Sequence, residues 1–348
     1  MAPKNARYFK HEGKDIPILD LETIDFEKLV CNDIDEVQRL LKSCQNEGFF
    51  YLDLRSINGR RQIDDKDRLL GFMRRFFHSK FADKNEIGLP EQKHGYEPIG
   101  LHAGLDNDSR DGYECLKVSL SELSKDTDLN LPRIINNNDV KILRDFAAGG
   151  DLITKTMLSC LSNVLGLTGE NRFESFHRNW RPSNSTLAMF RYIPSEETET
   201  HAPGQKSTGH QQHTDIGSFT LLFSDQYGLQ VQPANEANAE FGFVEPRDGH
   251  AIINVGDSLR FASGHQLYSC IHRVVPLNEE RYSIAYFLRP EVDKTFRDSE
   301  GRTLTAGQWH DEKYEVFAST HEDQATKVPK TMLLGGMPER IAQGVLVG

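Results

Sequence analysis

Residues 187–193 read LAMFRYI, and seven more short apolar runs follow before residue 289. They are FTLLF (219–223), GLQV (228–231), FGFV (241–244), AIINV (251–255), LRFA (259–262), RVVP (273–276) and YSIAYFL (282–288). Turn-forming residues separate them, among them Asp225, Pro233, Gly249 and Gly264. Many short strands at this spacing are typical of a β-sandwich or barrel. Residues 184–290 are therefore predicted to form a β core.

The segments on either side of this core have a different pattern. Apolar residues recur at helical spacing within 34–44, 69–81 and 143–161, so residues 1–183 are predicted to be mainly helical. Gly149 and Gly150 could bend the third of these helices. Residues 291–348 form a polar extension with one short helix predicted at 306–317. The helical part cannot bury its apolar faces alone, so we expect one α+β domain over 1–348, mainly β with helices packed outside.

Composition limits the classes of partner. The 348 residues carry a formal net charge of -11, which argues against nucleic acid or an anionic membrane as the main partner. The five cysteines are scattered and form no C-x-x-C pair, so a disulfide framework or structural zinc site is not expected. The N-terminal residues lack the apolar stretch of a signal peptide. These features predict a cytoplasmic protein that binds neither nucleic acid nor membrane.

The motif His213-Thr214-Asp215 is the first candidate for chemistry. Residues two apart on a strand project to the same face, so His213 and Asp215 can bind one metal ion together. The β region offers His272 as a third ligand. Two histidines and one carboxylate make the facial triad of non-haem iron(II) oxygenases, which leaves coordination positions open. No catalytic residue is predicted beyond this metal centre.

A second motif, Arg281-Tyr282-Ser283, begins nine positions after His272. Arg281 and Ser283 share one strand face, and a guanidinium with a hydroxyl suits a carboxylate. The apolar residues that follow predict a buried strand, and a buried arginine needs an anionic partner. His201 and His210 lie near the first motif but are assigned to a loop and not to the metal. Gly256-Asp257 is interpreted as a tight turn.

These motifs, in this order and spacing, resemble the isopenicillin N synthase-like family of 2-oxoglutarate/Fe(II)-dependent dioxygenases. Further stretches with the same resemblance are Ile16-Pro17-Ile18-Leu19-Asp20, Asn46-Glu47-Gly48-Phe49-Phe50, Tyr227-Gly228-Leu229-Gln230-Val231 and Asn254-Val255-Gly256-Asp257. The resemblance implies a double-stranded β-helix (jelly roll) around the iron. It also implies that Arg281 and Ser283 bind 2-oxoglutarate, with Tyr192 as a further contact. The family's asparagine two residues before that tyrosine is replaced here by Phe190.

The activity implied is oxidation of a small organic metabolite with Fe(II), 2-oxoglutarate and O2, by hydroxylation, desaturation or ring formation. Fungal secondary metabolism is the expected setting. There are three alternatives, of which the second and third are disfavoured, because no evident general base accompanies the motifs and because the triad is intact beside Arg281 and Ser283. One is an iron oxidase of isopenicillin N synthase type that uses no 2-oxoglutarate. The others are a zinc hydrolase or cupin-like metal binder, and a non-enzymatic binding module on a degenerate jelly roll.

Two residues are candidates for the substrate pocket. Strand alternation puts Phe287 on the same face as Arg281 and Ser283, further toward the mouth of the barrel. Related enzymes with an aromatic residue here often pack the substrate against it, although Phe287 could instead fill the core. Tyr96, after Gly95, is the second candidate for the pocket wall.

Overall fold

The structure is a computed structural model that describes residues 7–87, 94–105, 109–194, 207–234, 240–319, 321, 324 and 330–337. Its strands are β1 (Tyr8–His11), β2 (Lys14–Pro17), β3 (Thr23–Asp25), β4 (Phe49–Asp53), β5 (Gly95–Glu97), β6 (Arg110–Asp111), β7 (Tyr113–Ser119), β8 (Thr186–Tyr192), β9 (Ser207–Thr208), β10 (His210–His213), β11 (Phe219–Ser224), β12 (Leu229–Val231), β13 (Gly242–Phe243), β14 (His250–Val255), β15 (His272–Val274), β16 (Arg281–Leu288), β17 (Thr295–Arg297) and β18 (Thr303–Thr305).

The helices are α1 (Phe26–Val30), α2 (Ile34–Asn46), α3 (Ile57–Phe77), α4 (Phe81–Lys84), α5 (Leu120–Leu123), α6 (Asn137–Val164), α7 (Asp257–Ala262) and α8 (Ala306–Ala318). Short 3-10 turns occur at Gly169–Asn171, Phe173–Phe176 and Lys330–Met332. None of the helices in these ranges combines the length and hydropathy that a bilayer crossing requires.

Two facing sheets form the core. The larger has eight strands in the order β3-β4-β14-β11-β16-β8-β7-β5, and the smaller has four in the order β10-β15-β12-β13. Residues of both sheets share one apolar cluster, which includes Tyr51, Phe190 and Ala285 from the larger sheet and Val231 and Val274 from the smaller. The predicted β core of packed short strands is therefore present. Its larger sheet also includes β3, β4, β5 and β7, which come from the N-terminal part.

The outer face of the larger sheet is covered by helices. Alternation along β16 sends Tyr282, Ile284, Tyr286 and Leu288 into a second apolar cluster, shared with α2, α3 and α6. The intervening residues of β16, which include Ala285 and Phe287, face the smaller sheet. This alternation decides which side chains of β16 can reach an internal site.

One predicted strand proved to be a helix. The run LRFA (259–262) belongs to α7, which begins at Asp257 directly after Gly256. A Cβ at Gly256 would lie 2.3 Å from the backbone oxygen of Gly217, so the chain passes too close to its neighbour for any side chain. The tight turn predicted at Gly256-Asp257 is corrected accordingly: Asp257 is the first residue of a buried helix.

The glycines within α6 do not break it. The helix is continuous over 28 residues, begins with a capping box between Asn136 and Asp139, and packs closely against its neighbours. A Cβ at Gly150 would lie 2.8 Å from the Tyr286 ring, and one at Gly149 would lie 1.9 Å from Gln62 Oε1. These glycines therefore allow close approach, and the predicted bend is not needed to explain them.

Gly150→Ala is expected to destabilise the protein by about 1–3 kcal/mol, because the added methyl group overpacks the contact with Tyr286. Gly71→Ala is the matched control, since Gly71 lies within α3 and no atom lies within 4 Å of the position that its Cβ would take. There the better helix propensity of alanine should stabilise by roughly 0.5–1 kcal/mol. Urea unfolding of both variants checks the pair, and equal effects of the same sign would contradict the close-packing explanation.

Candidate metal and co-substrate site

Strands β10 and β15 bring two histidines face to face. They pair antiparallel with His213 opposite His272, and the two ring centroids are 4.3 Å apart. Asp215 follows two residues after His213. One ligand atom from each of these three residues lies within 4.8 Å of the other two. The three candidate ligands thus converge from the end of β10, from the residues just after it and from β15, in the grouping predicted from the sequence.

Hydrogen bonds orient both imidazoles. Nδ1 of His213 lies 2.8 Å from the Gln211 carbonyl oxygen, and Nδ1 of His272 lies 3.1 Å from that of Cys270. A carbonyl can only accept, so each Nδ1 carries the proton. Each Nε2 therefore keeps its lone pair, and the two Nε2 atoms lie 3.6 and 3.7 Å from Asp215 Oδ1. This is the orientation in which histidine binds a metal.

The two oxygens of the Asp215 carboxylate have different surroundings. Oδ2 accepts hydrogen bonds from Thr220 Oγ1 at 2.5 Å and Asn254 Nδ2 at 2.6 Å. Oδ1 is left facing the histidines. Burial alone would raise the pKa of Asp215, but His272, His213 and the Asn254 hydrogen bond lower it well below its usual range. Burial lowers the pKa of His272 to about 4.

At neutral pH the cluster accordingly presents a carboxylate and a neutral His272 imidazole, with nitrogen and oxygen donors. Metal binding requires this protonation state, and iron(II) accepts this donor set. The residues therefore fit the metal that the sequence resemblance implies.

A buried ion pair supports the backbone at Thr214, the residue between His213 and Asp215. Lys313 Nζ donates to Asp257 Oδ2 at 2.5 Å and to Thr214 Oγ1 at 2.6 Å. The Asp257 backbone N–H donates to the Asp215 carbonyl oxygen at 2.7 Å. Residues from α7 and α8 thus hold the backbone at 214–215. Neither member of the pair was predicted as a site residue. A signal for Lys313 was its helical spacing with Trp309 and Val316 on the buried face of α8, because a lysine on an apolar face needs a carboxylate.

Arg281 lies in the interior and forms no ion pair with a carboxylate in the described part of the chain. It is 2% exposed, and among the described residues its Nε and Nη1 have no hydrogen-bond partner. Its guanidinium carbon lies 4.7 Å from the centre of the Tyr192 ring, and Tyr192 is its partner in the β16–β8 register. Burial lowers the pKa of Arg281. A buried, unpaired guanidinium is the arrangement that a bound carboxylate would complete.

Ser283 and Gly228 shape the space around this arginine. Ser283 is 2% exposed and lies on the same strand face as Arg281. Gly228 adopts φ +125, and a Cβ there would lie 3.2 Å from Arg281 Cδ and Nε. Phe190 stands where the resemblance expects an asparagine. It is buried in the inner apolar cluster and packs edge-on to Tyr113 at 5.5 Å, so this side supplies apolar surface and no polar contact.

A cavity of about 690 Å³, counting its mouth, opens beside His213. Phe287 lines it, as predicted for its strand face, together with His213 and Asp215. The remaining lining side chains are His94, Tyr113, Lys117, Thr186, Phe190, His210, Thr214, Ile216, Arg289, His310, Lys313, Tyr314 and Phe317. The cavity is thus next to the candidate metal ligands and has a mixed aromatic and cationic wall.

Two expectations about individual residues need correction. Tyr96 does not line this cavity; it is 3% exposed, packs against Phe76 and Phe81, and donates its hydroxyl proton to Glu114. The pairing of β5 with β7 turns its ring toward the helices. His210 is not in a loop but in β10, buried and stacked 4.7 Å from His213. His201 lies outside the described residues.

Phe287→Ala is expected to raise the substrate KM or to uncouple succinate formation from product formation, with little change in Tm, because the ring faces the cavity. Leu288→Ala is the matched control, since Leu288 is 2% exposed on the opposite face and should cost about 2–5 kcal/mol of stability without altering coupling. Tm and the ratio of succinate to product are the measurements. A Phe287→Ala protein that loses about 3–5 kcal/mol of stability but couples normally would show that Phe287 only fills the core.

Two family profiles match the sequence. Residues 184–290 match the profile described as 2OG-Fe(II) oxygenase superfamily, and residues 16–135 match one described as non-haem dioxygenase in morphine synthesis N-terminal. Together they include the strands that carry all three candidate metal ligands. They also include the N-terminal strands that complete the larger sheet.

Curated fungal proteins are similar over most of the chain. The oxidoreductase vrtI of Penicillium aethiopicum is 42% identical over 330 residues, which cover 92% of this chain and 76% of vrtI. The 2-oxoglutarate-dependent dioxygenase gloE of Glarea lozoyensis is 38% identical over 324 residues, covering 92% of this chain and 93% of gloE.

A solved structure has the same fold. A full-length Neurospora crassa protein, crystallised in complex with alpha-KG, superposes with a TM-score of 0.64 at 24% sequence identity. The superposition covers 87% of this chain and 97% of the Neurospora chain. The predicted α+β class with a jelly-roll core is confirmed.

Proposed function

The chain belongs to the 2OG-Fe(II) oxygenase superfamily, and we propose that its iron is held by His213, Asp215 and His272. It is a 2-oxoglutarate-dependent dioxygenase, an oxidoreductase that uses Fe(II), 2-oxoglutarate and O2. The observation that carries the residue assignment is the convergence of two imidazole Nε2 atoms on Asp215 Oδ1, each left available by hydrogen bonding at the other end of its side chain.

The co-substrate is assigned to the neighbouring strand face. Arg281 would bind the distal carboxylate of 2-oxoglutarate, with Ser283 and Tyr192 as further contacts. This assignment is supported by the burial of the guanidinium and by its Nε and Nη1, which have no partner among the described residues. Gly228 leaves room beside it. The oxidase alternative would give the same arginine to the organic substrate, but the relatives named as 2-oxoglutarate-dependent favour the co-substrate.

When bound, Fe(II) activates O2 at the expense of 2-oxoglutarate, which becomes succinate and CO2 while the organic substrate is oxidised. The protein's own residues position the ligand atoms and the organic substrate, and they exclude water from the site. The hydrogen bonds to Asp215 and to both Nδ1 atoms fix the ligand atoms before iron arrives. Phe190, Phe287 and Phe317 supply an apolar wall against which a carbon skeleton can lie next to the ligands.

The organic substrate is placed among small metabolites, and its setting in fungal secondary metabolism is part of the proposal. The support is the similarity to fungal dioxygenases over more than nine-tenths of the chain and the cavity next to His213 and Asp215. We also propose one domain over 1–348, since strands from the N-terminal part form both edges of the larger sheet. A cytoplasmic location agrees with five free cysteines.

The test is an anaerobic titration followed by a turnover screen. Purified protein with Fe(II) should develop a visible charge-transfer band on addition of 2-oxoglutarate. On admission of oxygen, succinate release should then be stimulated by one or more members of a panel of small metabolites. Absence of the band, or full oxidation of a substrate without 2-oxoglutarate, would refute the assignment of the co-substrate site.

A further inference from the structure

Arg289, one residue past the end of β16, differs from the two lysines of the cavity wall in its ion pairing. Lys117 pairs with Glu97 at 2.8 Å, and Lys313 pairs with Asp257 at 2.5 Å. Arg289 lines the same cavity, but among the described residues it forms no ion pair with a carboxylate. Asp215 acts on it electrostatically without a direct contact. No carboxylate of the described residues therefore neutralises its positive charge by direct contact.

The hydrogen bonds of Arg289 occupy only one end of its guanidinium. Nη1 donates one proton to the Asn184 carbonyl oxygen and the other to Thr186 Oγ1 at 2.8 Å. Nε is buried and has no partner in the described part of the chain. The edge formed by Nε and Nη2 is one of the two edges through which arginine can bind a carboxylate by two parallel hydrogen bonds. Arg178 uses this edge on Glu291, at 2.6 and 2.7 Å.

The surroundings hold this group in place. The guanidinium carbon lies 5.0 Å from the centre of the Phe287 ring. A Cβ at Gly217 would come within 2.9 Å of Arg289 Cγ, so the glycine leaves a passage for the side chain. Thr186 Oγ1 donates to Asn184 O and accepts from Arg289, and His94 Nε2 lies 3.0 Å from the same oxygen. Burial lowers the pKa of Arg289 to about 10, so the guanidinium remains charged at neutral pH.

The overall charge of the loaded site points the same way. If iron(II), the 2-oxoglutarate dianion, Asp215 and Arg281 come together as proposed, their formal charges cancel. The two lysines of the cavity are already paired with carboxylates. Arg289 then remains as an excess positive charge in a partly dehydrated space, where an unpaired cation is costly.

We propose that Arg289 is a specificity-determining residue that binds an anionic group of the organic substrate, with a carboxylate as the best-fitting class. The inference rests on the proposed function, because it assumes that 2-oxoglutarate occupies Arg281. The substrate's carbon skeleton would then extend from Arg289 across Phe287 toward His213 and Asp215. The substrate class is an organic acid that carries its oxidisable C–H bond away from the carboxylate.

The experiment compares acids with uncharged analogues of the same shape. The probes are 3-phenylpropanoate, 4-phenylbutanoate and octanoate, each with its primary amide. They are added anaerobically to the Fe(II) protein saturated with 2-oxoglutarate, and binding is followed by ligand-observed NMR. The charge-transfer band is monitored to exclude displacement of the co-substrate. Wild-type protein should bind at least one acid more tightly than its amide by about ten- to a hundredfold, as expected for a charge-assisted pair.

Arg289→Gln should remove this preference and leave the 2-oxoglutarate titration unchanged, and Arg289→Lys should retain part of it. Arg178→Gln is the control, since its guanidinium lies outside the cavity and its Nε and Nη2 already bind Glu291, and the folded variant should keep the wild-type preference for acids. Wild-type protein that forms the band but binds no acid, or binds amides equally well, overturns the proposal even if the variants do not fold. So does a folded Arg289→Gln protein that keeps the preference. Absence of the band in wild type would instead indicate failure of the proposed function.

Discussion

Asp215→Ala is expected to abolish turnover and to weaken Fe(II) binding by more than about 100-fold. Loss of a partner that only orients a ligand costs 10–100-fold in metal affinity or activity, and this substitution removes the ligand itself. Asp215 is also the point on which both Nε2 atoms converge, at 3.6 and 3.7 Å. His213→Ala and His272→Ala should have the same outcome. Anaerobic calorimetry with Fe(II) measures the binding, and succinate release measures turnover.

Two further variants make this result interpretable. Asn254→Ala removes one hydrogen bond to Asp215 Oδ2 and should give the intermediate, 10–100-fold effect. His78→Ala removes an imidazole at the end of α3, far along the chain from the ligands, and should match wild type. Circular dichroism of the metal-free proteins checks that each variant is folded. Normal Fe(II) affinity in any folded ligand variant would remove that residue from the metal site.

Arg281→Met is expected to raise the KM and the Kd for 2-oxoglutarate strongly. Loss of a buried, charge-assisted partner costs about 2–5 kcal/mol, which corresponds to roughly 30-fold to several thousandfold. The metal-free, ligand-free protein should be as stable as wild type or more so, because Nε and Nη1 have no partner to lose among the described residues. A binding residue and a structural residue are thereby distinguished, since a structural arginine would lower Tm when removed.

Tyr192→Phe should show a milder loss of the same kind, about 0.5–1.5 kcal/mol in 2-oxoglutarate binding, because it removes one hydroxyl. Arg297→Ala, on the exposed face of β17, is the matched arginine control. Titration of the charge-transfer band gives Kd, and thermal melts with and without 2-oxoglutarate give the stabilisation by the ligand. If Arg281→Met binds 2-oxoglutarate normally, the co-substrate must be held elsewhere.

Local spacing was enough to predict the parts of the site that lie within a few residues of one another. Arg281 and Ser283 are two apart within β16, and period-two alternation carries them to one face. His213 and Asp215 have the same spacing, but β10 ends at His213, so it is their short separation along the chain that keeps them together. The structure brings His272 to this group through strand pairing. The β core was predictable for the same reason, because its strands are short apolar runs separated by turn residues.

The features of the site that were not predicted from the sequence depend on contacts between residues far apart in the chain. Asp257 and Lys313 are 56 positions apart, so neither spacing nor composition links them. Tyr96 has the same local sequence whether its ring faces the cavity or the helices; the pairing of β5 with β7 decides that. The run LRFA has no period that separates a buried strand from a short helix, and the structure places it in α7.

The candidate iron and co-substrate residues and the α8 residues of the cavity wall lie in separate parts of the chain. This separation suggests how the range of substrates could be changed. The candidate iron and 2-oxoglutarate residues lie between positions 192 and 283, whereas α8 contributes His310, Tyr314 and Phe317 to the opposite cavity wall. Chimeras that exchange α8 between homologues should therefore acquire a new range of substrates without losing the oxidising chemistry. The position of Lys313 is not free to vary in such exchanges. A donor helix without a lysine there would remove the partner of the buried Asp257 carboxylate, next to the backbone of His213 and Asp215.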